Sequence, residues 1–326
     1  MIHTGSLRRI LTCLRPISGL AGLVVLTQCA HHETLVLNRD PAMIERKNET
    51  FGFRKWVSKT ETPDIVIVAL HGFDGASIDY ENLGKDLLLK QPKTALYAYE
   101  VRGQGSDPKR DRRGDIDTPS DWYRDLLVFN DLVKKRHPGA KIVWMGESMG
   151  ALITAHTWEQ HAEGPHPCDA MIFSSPVVQI RKDVPAWKVG LLDVAAAAAP
   201  KARVSLEQIS GGQDVQMTHT TKHTEQAETN AWHVEKNTLR LLSTLGHHIK
   251  TMDECAATIR VPVLILHGKK DFFTDETDVW TFTASIPKTT PVTTRIYPDA
   301  YHLLMYDTHK DEVIHDIEKW VDRLRK

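Results

Sequence analysis

The chain has 326 residues, of which 41% are hydrophobic and 25% charged, and its formal net charge is −1. This composition is typical of a globular protein long enough for one large domain with an insertion or for two smaller domains. The near-neutral charge does not support a nucleic-acid partner, because phosphate binding requires a surplus of Lys and Arg on one face.

The N-terminus is typical of a secretory signal peptide. Three arginines precede an uncharged stretch, residues 16–30, which is shorter than the roughly 20 residues of a membrane-spanning helix. This stretch contains LTQC, and Cys29 is placed like the lipidated cysteine of bacterial lipoproteins, although Gln28 stands where such signals usually have a small residue. We therefore expect a signal peptide or lipoprotein-type anchor over 1–29, a tether over 30–44, and export to the periplasmic side of a bacterial membrane. An uncleaved N-terminal anchor is the alternative.

Six short apolar runs predict the strands of a parallel sheet. Their hydrophobicity is continuous rather than alternating, as in strands that are covered on both faces. The runs are residues 64–70, 94–100, 141–146, 169–175, 262–268 and 293–298. Helical patterns alternate with them, at Tyr80–Lys90, Ser120–Lys135, Met149–His161 and Glu312–Arg325. This alternation predicts an α/β fold with a doubly wound, mostly parallel sheet.

The alternation is interrupted once, over about 176–259. This span has helical patterns at Trp187–Ala199 and Trp232–Leu245 but no convincing strand. An insertion of this kind predicts a helical cap above the carboxyl edge of the sheet, where open α/β sheets bind ligands. We expect its apolar segment 186–200 to pack on the rest of the domain rather than line a channel or rest on lipid.

The sequence GESMG, residues 146–150, places a serine between two glycines where a predicted strand gives way to a predicted helix. In a G-x-S-x-G turn the serine has a strained backbone that exposes its hydroxyl, and side chains at the glycines would collide with neighbouring backbone. The pattern makes Ser148 a candidate nucleophile, although a plain turn of small residues is the simpler interpretation.

A serine nucleophile needs a base to activate it and an acid to hold the base in one tautomer. Asp271 follows the fifth apolar run and His302 follows the sixth, so both lie on loops after strands, in the order Ser, Asp, His. Three other residues compete for these roles but are less well placed along the chain: Asp275, Asp299 and His309.

Attack on an acyl carbonyl also creates an oxyanion, which needs two backbone N–H groups already in position. One should belong to Met149, the residue after the candidate nucleophile. The other should come from the sequence HGFDG, residues 71–75, after the first apolar run, and we assign it to Phe73. A plain turn is the alternative for HGFDG. It is disfavoured because Ser148, Asp271 and His302 all lie at the positions expected of a triad.

The cysteines and histidines give weaker signals. None of the four cysteines lies in a CxxC pattern, which argues against a structural zinc site. Cys168 and Cys255 could form a disulfide in an exported chain, but we expect two ordinary thiols. His219 and His223 are four residues apart and could share a metal on one helical face, although a solvated surface is the better interpretation. We expect no cofactor and no metal.

Five motifs carry a resemblance to a known family. They are HGFDG at 71–75, VRGQGSDPKR at 101–110, GESMGA at 146–151, LHGKKDFFTD at 266–275 and YPDAYHLLMYD at 297–307. From about residue 45 to its end, the chain resembles the monoacylglycerol lipase and lysophospholipase branch of the α/β-hydrolases. The resemblance implies the α/β-hydrolase fold over 45–326, with the cap after its sixth strand. The usual R-G-H-G turn of the family has Gln104 in place of histidine, in a loop expected to be structural.

Carried over by motif, the resemblance implies a nucleophile at Ser148, triad partners at Asp271 and His302, and oxyanion donors at Phe73 and Met149. It implies a serine hydrolase that cleaves esters of lipids, either monoacylglycerol or lysophospholipid, through an acyl-enzyme. The expected partners are this substrate and a membrane surface; the oligomeric state is not predicted.

Three alternatives remain open because the cap has little motif content. The first is a short-chain carboxylesterase. The second is a proline-iminopeptidase-like peptidase, which would need acidic residues in the cap to hold an amino terminus. The third, a non-catalytic binding protein, is the least favoured. The acidic residues of the cap that could serve the peptidase are Asp193, Glu207, Asp214, Glu225 and Glu228.

Overall fold

A computed structural model describes residues 42–47, 49–105, 107–205 and 214–326 of the chain. The predicted signal peptide with Cys29 and most of the predicted tether lie outside the described residues, as does Glu207. The first described strand begins at Ala42, within the last residues of the predicted tether.

An eight-stranded sheet forms the centre of the fold, in the order β1-β2-β4-β3-β5-β6-β9-β10. Strands β1 and β2 are antiparallel to their neighbours, and all other pairs are parallel. The strands are β1 (Ala42–Arg46), β2 (Glu49–Trp56), β3 (Ile65–Leu70), β4 (Thr94–Tyr99), β5 (Lys141–Glu147), β6 (Ala170–Ser174), β9 (Val263–Gly268) and β10 (Val292–Tyr297). The six predicted runs correspond to β3–β6, β9 and β10, which confirms the mostly parallel α/β fold. The sequence analysis missed β1 and β2.

Helices cover both faces of the sheet or lie in the insertion. They are α1 (Glu81–Lys90), α2 (Pro119–Arg136), α3 (Met149–Glu159), α4 (Ala186–Ala198), α5 (His223–Thr229), α6 (Leu239–Lys250), α7 (Met252–Thr258), α8 (Glu276–Ser285) and α9 (Lys310–Arg323). Within the described ranges, no helix combines the length and the apolar character needed to cross a membrane.

The core lies between the sheet and its helices. Strands β3, β4 and β6 are buried at every residue, which explains their uninterrupted apolar sequence. The indole N–H of buried Trp144 donates to Oδ1 of Asn130 at 2.9 Å, and the Asn130 amide donates to the Pro167 carbonyl at 3.1 Å. Burial of these polar groups is therefore compensated by hydrogen bonds.

Residues 175–262, between β6 and β9, are called the inserted segment below. This segment contains α4 to α7 and a two-stranded antiparallel sheet of β7 (Arg203–Val204) and β8 (Asn237–Thr238). The predicted helix at 232–245 is therefore wrong at its start, because α6 begins only at Leu239. Residues before that point pair as a strand, and Oγ1 of Thr238 accepts a hydrogen bond from the Leu241 N–H at 3.3 Å, which caps the helix.

Helix α4 packs against α6 in the inserted segment. Its opposite face is exposed, with Trp187, Leu191 and Val194 at 65%, 59% and 66% exposure. These residues recur at the spacing of one helical face. The expectation that the whole apolar segment is packed away is therefore wrong for this face.

Cys168 and Cys255 are both buried free thiols. The thiol of Cys255 donates to a carboxylate oxygen of Glu159 at 3.8 Å. The structure thus has two separate thiols rather than the disulfide considered from the sequence.

Replacing Gly84 by alanine should destabilise the fold. An alanine normally stabilises a helix interior relative to glycine, but a Cβ at Gly84 in α1 would lie 2.2 Å from Cδ2 of the buried Trp56 ring. We expect Gly84→Ala to lower the free energy of unfolding by about 1–3 kcal/mol, measured by thermal or urea unfolding. Gly246→Ala in α6 is the matched control, because its Cβ would meet nothing within 4 Å. It should be neutral or stabilising by up to about 1 kcal/mol, and equal effects at both sites would contradict the packing argument.

Candidate active site

Ser148 lies on a sharp turn between β5 and α3. Its backbone has φ 51° and ψ −113°, an unusual conformation for a residue with a side chain. A Cβ at Gly146 would lie 2.4 Å from the Gly150 carbonyl oxygen, and a Cβ at Gly150 would lie 2.2 Å from that of Leu70. Only glycine fits at these two positions, so the GESMG sequence produces the turn that presents the serine.

The loop after β3 passes directly beside the serine. A Cβ built on Gly72 would lie 3.7 Å from Oγ of Ser148. The buried His71 fixes this loop, since its Nδ1–H donates to the Gly72 carbonyl at 2.9 Å and its Nε2 accepts from the Val101 N–H at 2.9 Å. Both bonds suit a neutral ring, and burial lowers the pKa of His71. The imidazole therefore serves as a structural link rather than as a charge.

Gln104 fixes the same loop from the other side. Its side chain is fully buried, and its Oε1 accepts the N–H of Asp74 at 3.0 Å. The neighbouring Gly105 has φ 49°, and a Cβ there would lie 2.2 Å from the Gly75 carbonyl oxygen. Gln104 was predicted to lie in a structural loop. Its side chain also orients the backbone next to Phe73, through a contact that the sequence does not reveal.

The backbone N–H groups of Phe73 and Met149 are available to a ligand beside the serine. Across the described ranges, neither the Phe73 N–H nor the Met149 N–H donates to a protein acceptor. Met149 is the first residue of α3, where helix N–H groups lack internal partners and the helix dipole is positive. Both residues line the same cavity as Ser148. This arrangement can stabilise negative charge that develops on a bound carbonyl oxygen.

His302 and Asp271 form a buried pair. Nδ1 of His302 lies 2.7 Å from Oδ2 of Asp271, and Oδ1 of Asp271 accepts the Phe273 N–H at 2.7 Å. The histidine is 3% exposed, and the Ser175 hydroxyl donates to its backbone carbonyl at 2.6 Å. Because Nδ1 carries the proton given to Asp271, Nε2 is left for other chemistry.

The pKa of His302 is raised by its surroundings. Burial alone lowers it, but the charge of Asp271 and the hydrogen bond to that carboxylate outweigh burial, with a smaller contribution from Glu147. The imidazolium form is thus stabilised, as expected for a base that must accept a proton during a reaction.

Ser148 and His302 line one cavity. No hydrogen bond joins Oγ of Ser148 to the His302 ring, although both residues are within the described part of the chain. Hydrogen bonds of this kind are often long without substrate and shorten in the complex. Both residues therefore face the same space, and Asp271 lies behind the histidine.

The competing residues lie elsewhere. Asp275 is exposed at the start of α8, and Asp299 pairs with Lys270 at 3.1 Å. The ring of His309 lies 5.6 Å from that of His219. Of the three acids considered, Asp271 is the one that contacts His302.

The cavity has a volume of about 280 Å³ and lies between the carboxyl edge of the sheet and the inserted segment. Its lining is mostly apolar, and much of it belongs to the inserted segment. The apolar residues are Phe73, Met149, Leu152, Val177, Met217, Leu242, Leu245, Ile249, Phe273 and Leu303. Such a lining suits a ligand with a hydrocarbon part.

Two histidine–aspartate bridges join the inserted segment to the loops of the site. Nδ1 of His233 lies 2.5 Å from Oδ2 of Asp74, which follows Phe73. His219 pairs with Asp307, and Asp307 also accepts the N–H of Tyr301 at 2.9 Å, next to His302. His219 is thus part of a bridge rather than of the metal pair considered with His223, which lines the cavity.

The chain is similar to several known proteins. The family model described as "Serine aminopeptidase, S33" matches residues 61–309. A monoacylglycerol lipase from Mycolicibacterium smegmatis is 24% identical over 270 residues, covering 82% of this chain and 90% of the relative. A monoglyceride lipase from Homo sapiens is 24% identical over 295 residues, covering 87% and 90%. The structure of a soluble monoglyceride lipase variant from Saccharomyces cerevisiae superposes with a TM-score of 0.73 at 19% identity, covering 88% and 97%.

The titration of His302 should depend on Asp271. Replacing that carboxylate by an amide in Asp271→Asn leaves burial without the opposing charge, so the pKa of His302 should fall below its value in the unmodified protein. NMR titration measures this change, and the His302 imidazole signal is identified by its absence from the spectrum of His302→Gln. Asp275→Asn removes an exposed acid and should leave the titration unaltered. An unchanged pKa in Asp271→Asn would show that the observed 2.7 Å contact does not govern the histidine.

Proposed function

The chain belongs to the serine aminopeptidase S33 family, an α/β-hydrolase family, and we propose that it is a serine hydrolase that cleaves carboxylic esters of lipids. Its substrates are monoacylglycerols or lysophospholipids. The observation that carries the proposal is the buried hydrogen bond from His302 to Asp271 beside a serine on a strained turn, within an apolar cavity.

In the proposed mechanism, His302 accepts the proton of Ser148 and the serine oxygen attacks the ester carbonyl carbon. The resulting oxyanion accepts hydrogen bonds from the Phe73 and Met149 N–H groups. His302 then donates its proton to the departing alcohol, which leaves an acyl-enzyme on the serine. Water, activated by the same histidine, releases the fatty acid and restores the enzyme. Asp271 holds the imidazole in the tautomer that this sequence needs.

Three observations support a lipid ester as substrate. The cavity lining is largely apolar, as an acyl chain requires. The two relatives at 24% identity are described as a monoacylglycerol lipase and a monoglyceride lipase. The exposed apolar face of α4 lies on the inserted segment, to which we assign the role of a cap over about 176–259. A cap with such a face suits substrates that come from a lipid phase.

The peptidase alternative deserves a test because the family description names an aminopeptidase. The acids proposed to hold an amino terminus do not support it where they are described. Asp193 accepts from Ser243 at 2.7 Å, and Asp214 accepts from Thr224 at 3.0 Å. Neither lines the cavity, nor do Glu225 and Glu228. The described residues of the inserted segment therefore place no carboxylate in the cavity to hold an amino terminus.

Ser148→Ala should abolish ester hydrolysis. Loss of the nucleophile costs on the order of 10⁶ in turnover in serine hydrolases whose triad acts as a unit. Rates on p-nitrophenyl esters of graded chain length, on monoacylglycerol and on an aminoacyl anilide measure the effect. Ser285→Ala, in α8 away from the cavity, should retain the activity of the unmodified protein. Equal turnover by Ser148→Ala would remove the serine from the mechanism, and cleavage of the anilide without an ester preference would favour the peptidase.

We also propose that the enzyme is exported and anchored to a membrane through a lipid on Cys29. The support is the sequence alone: a basic segment, an uncharged stretch over 16–30 and the cysteine within it. Such a segment directs export, and a lipidated cysteine anchors the mature protein. A membrane anchor would hold the cavity near lipid substrates.

Cys29→Ser should move the enzyme from the membrane fraction to the soluble fraction of expressing bacteria, because it removes the atom that carries the lipid. Cys13→Ser lies in the same segment and should leave the protein in the membrane fraction. Immunoblots of the two fractions give the result. Membrane retention of both variants would instead indicate an uncleaved N-terminal anchor.

A further inference from the structure

The polar lining of the cavity is acidic. Asp74, Asp79 and Glu147 line it, together with His223 and Gln226 from α5, and among the described residues no Lys or Arg does. Both carboxylate oxygens of Asp74 already accept hydrogen bonds within the protein, one from the His233 ring at 2.5 Å and one from the Val234 N–H at 2.6 Å. Asp79 and Glu147 are therefore the acids available to a ligand.

Glu147 precedes the serine and is 4% exposed. Its Oε2 is buried without a hydrogen-bond partner. A buried carboxyl oxygen without a partner is costly, and this one belongs to a side chain that lines the cavity. The atom is thus positioned to bond to a group that enters the cavity. Burial raises the pKa of Glu147 to about 7, against the opposing charge of His302.

Asp79 belongs to the turn Ser77–Tyr80 and lines the same cavity as Glu147. Its Oδ2 accepts the Ala76 N–H at 2.8 Å. Burial raises the pKa of Asp79 well above its ordinary value, and the like charge of Glu147 raises it further. A carboxyl group whose pKa is raised can donate a hydrogen bond when it is protonated and accept one when it is ionised.

Among the described residues, no Lys or Arg side chain lines the cavity beside this pair. The charge of Arg54 lowers the pKa of Asp79, but its guanidinium donates to Glu100 at 2.8 Å and to Ser77 at 2.6 Å and is not part of the lining. An anionic group placed beside the pair would be repelled at low dielectric, whereas a hydroxyl group could bond to either protonation state.

We propose that Asp79 and Glu147 form a head-group subsite that binds the free hydroxyl groups of a polyol leaving group and excludes phosphate. This inference rests on the proposed function and deepens it, because it selects monoacylglycerol over lysophospholipid. The apolar lining takes the acyl chain, and the carboxyl pair is the part of the cavity that distinguishes the alcohol.

The test compares two esters that differ only in a phosphate, dodecanoylglycerol and dodecanoylglycerol phosphate. The unmodified enzyme should prefer the uncharged ester by at least about a hundredfold in kcat/KM. In the double variant Asp79→Asn/Glu147→Gln, this ratio should fall by at least about tenfold, because neutral amides no longer repel the phosphate. Asp253→Asn, an exposed acid in α7, changes the net charge without touching the cavity and should leave the ratio unaltered.

A third ester, p-nitrophenyl butyrate, has no polyol and reports on the catalytic centre in each protein. If the double variant cleaves this ester but keeps the preference of the unmodified enzyme for dodecanoylglycerol over dodecanoylglycerol phosphate, the subsite is rejected and the proposed function is not. Absence of Ser148-dependent turnover by the unmodified enzyme would reject the proposed function, and the subsite with it. Faster cleavage of dodecanoylcholine than of dodecanoylglycerol would assign the pair to cations and overturn the proposal. Loss of all turnover in both single variants would do the same, since it would place the pair in catalysis.

Discussion

At the carboxyl edge of the sheet, the backbones of separate loops touch with no side chain between them. Gly150 lies against the end of β3, Gly105 lies against Gly75, and a Cβ at Gly268 would come within 2.3 Å of the Tyr301 carbonyl oxygen. Each contact would be lost if a side chain intervened, because the interior is packed too tightly to yield. These contacts bring Ser148, the loop of Phe73 and the loop of His302 to one place.

Neutral hydrogen bonds hold this edge where charges would be costly. The His71 imidazole and the Gln104 amide fix the loop next to the serine from below and from the side. Charge is concentrated instead on the His302–Asp271 pair and on the acids of the cavity. Since burial penalises every ionised group, a site of this kind can keep its few charges only where they are paired or serve a ligand.

Much of the fold could be predicted from the sequence because its signals are local. Continuous apolar runs located β3–β6, β9 and β10, and the GESMG motif located the turn at Ser148. Strand order then brought His302 to the same cavity as Ser148, with Asp271 bonded to the far side of the imidazole. Other features could not be predicted, because they depend on contacts between distant residues. The start of α6 depends on the pairing of β7 with β8, and the presence of Asp79 and Glu147 in one cavity depends on how two separate loops come together. Strands β1 and β2 at the antiparallel edge lack the continuous apolar pattern that located the others.

The bridges His233–Asp74 and His219–Asp307 tie the inserted segment to the two loops that flank the serine. The segment is therefore not an interchangeable module placed on a finished scaffold. A chimera that received this segment from another hydrolase would lose one restraint on each loop, unless it kept histidines at positions 219 and 233. The lining residues Leu242, Leu245 and Ile249 lie outside both bridges, so their replacement would alter the substrate cavity and leave the attachment points intact.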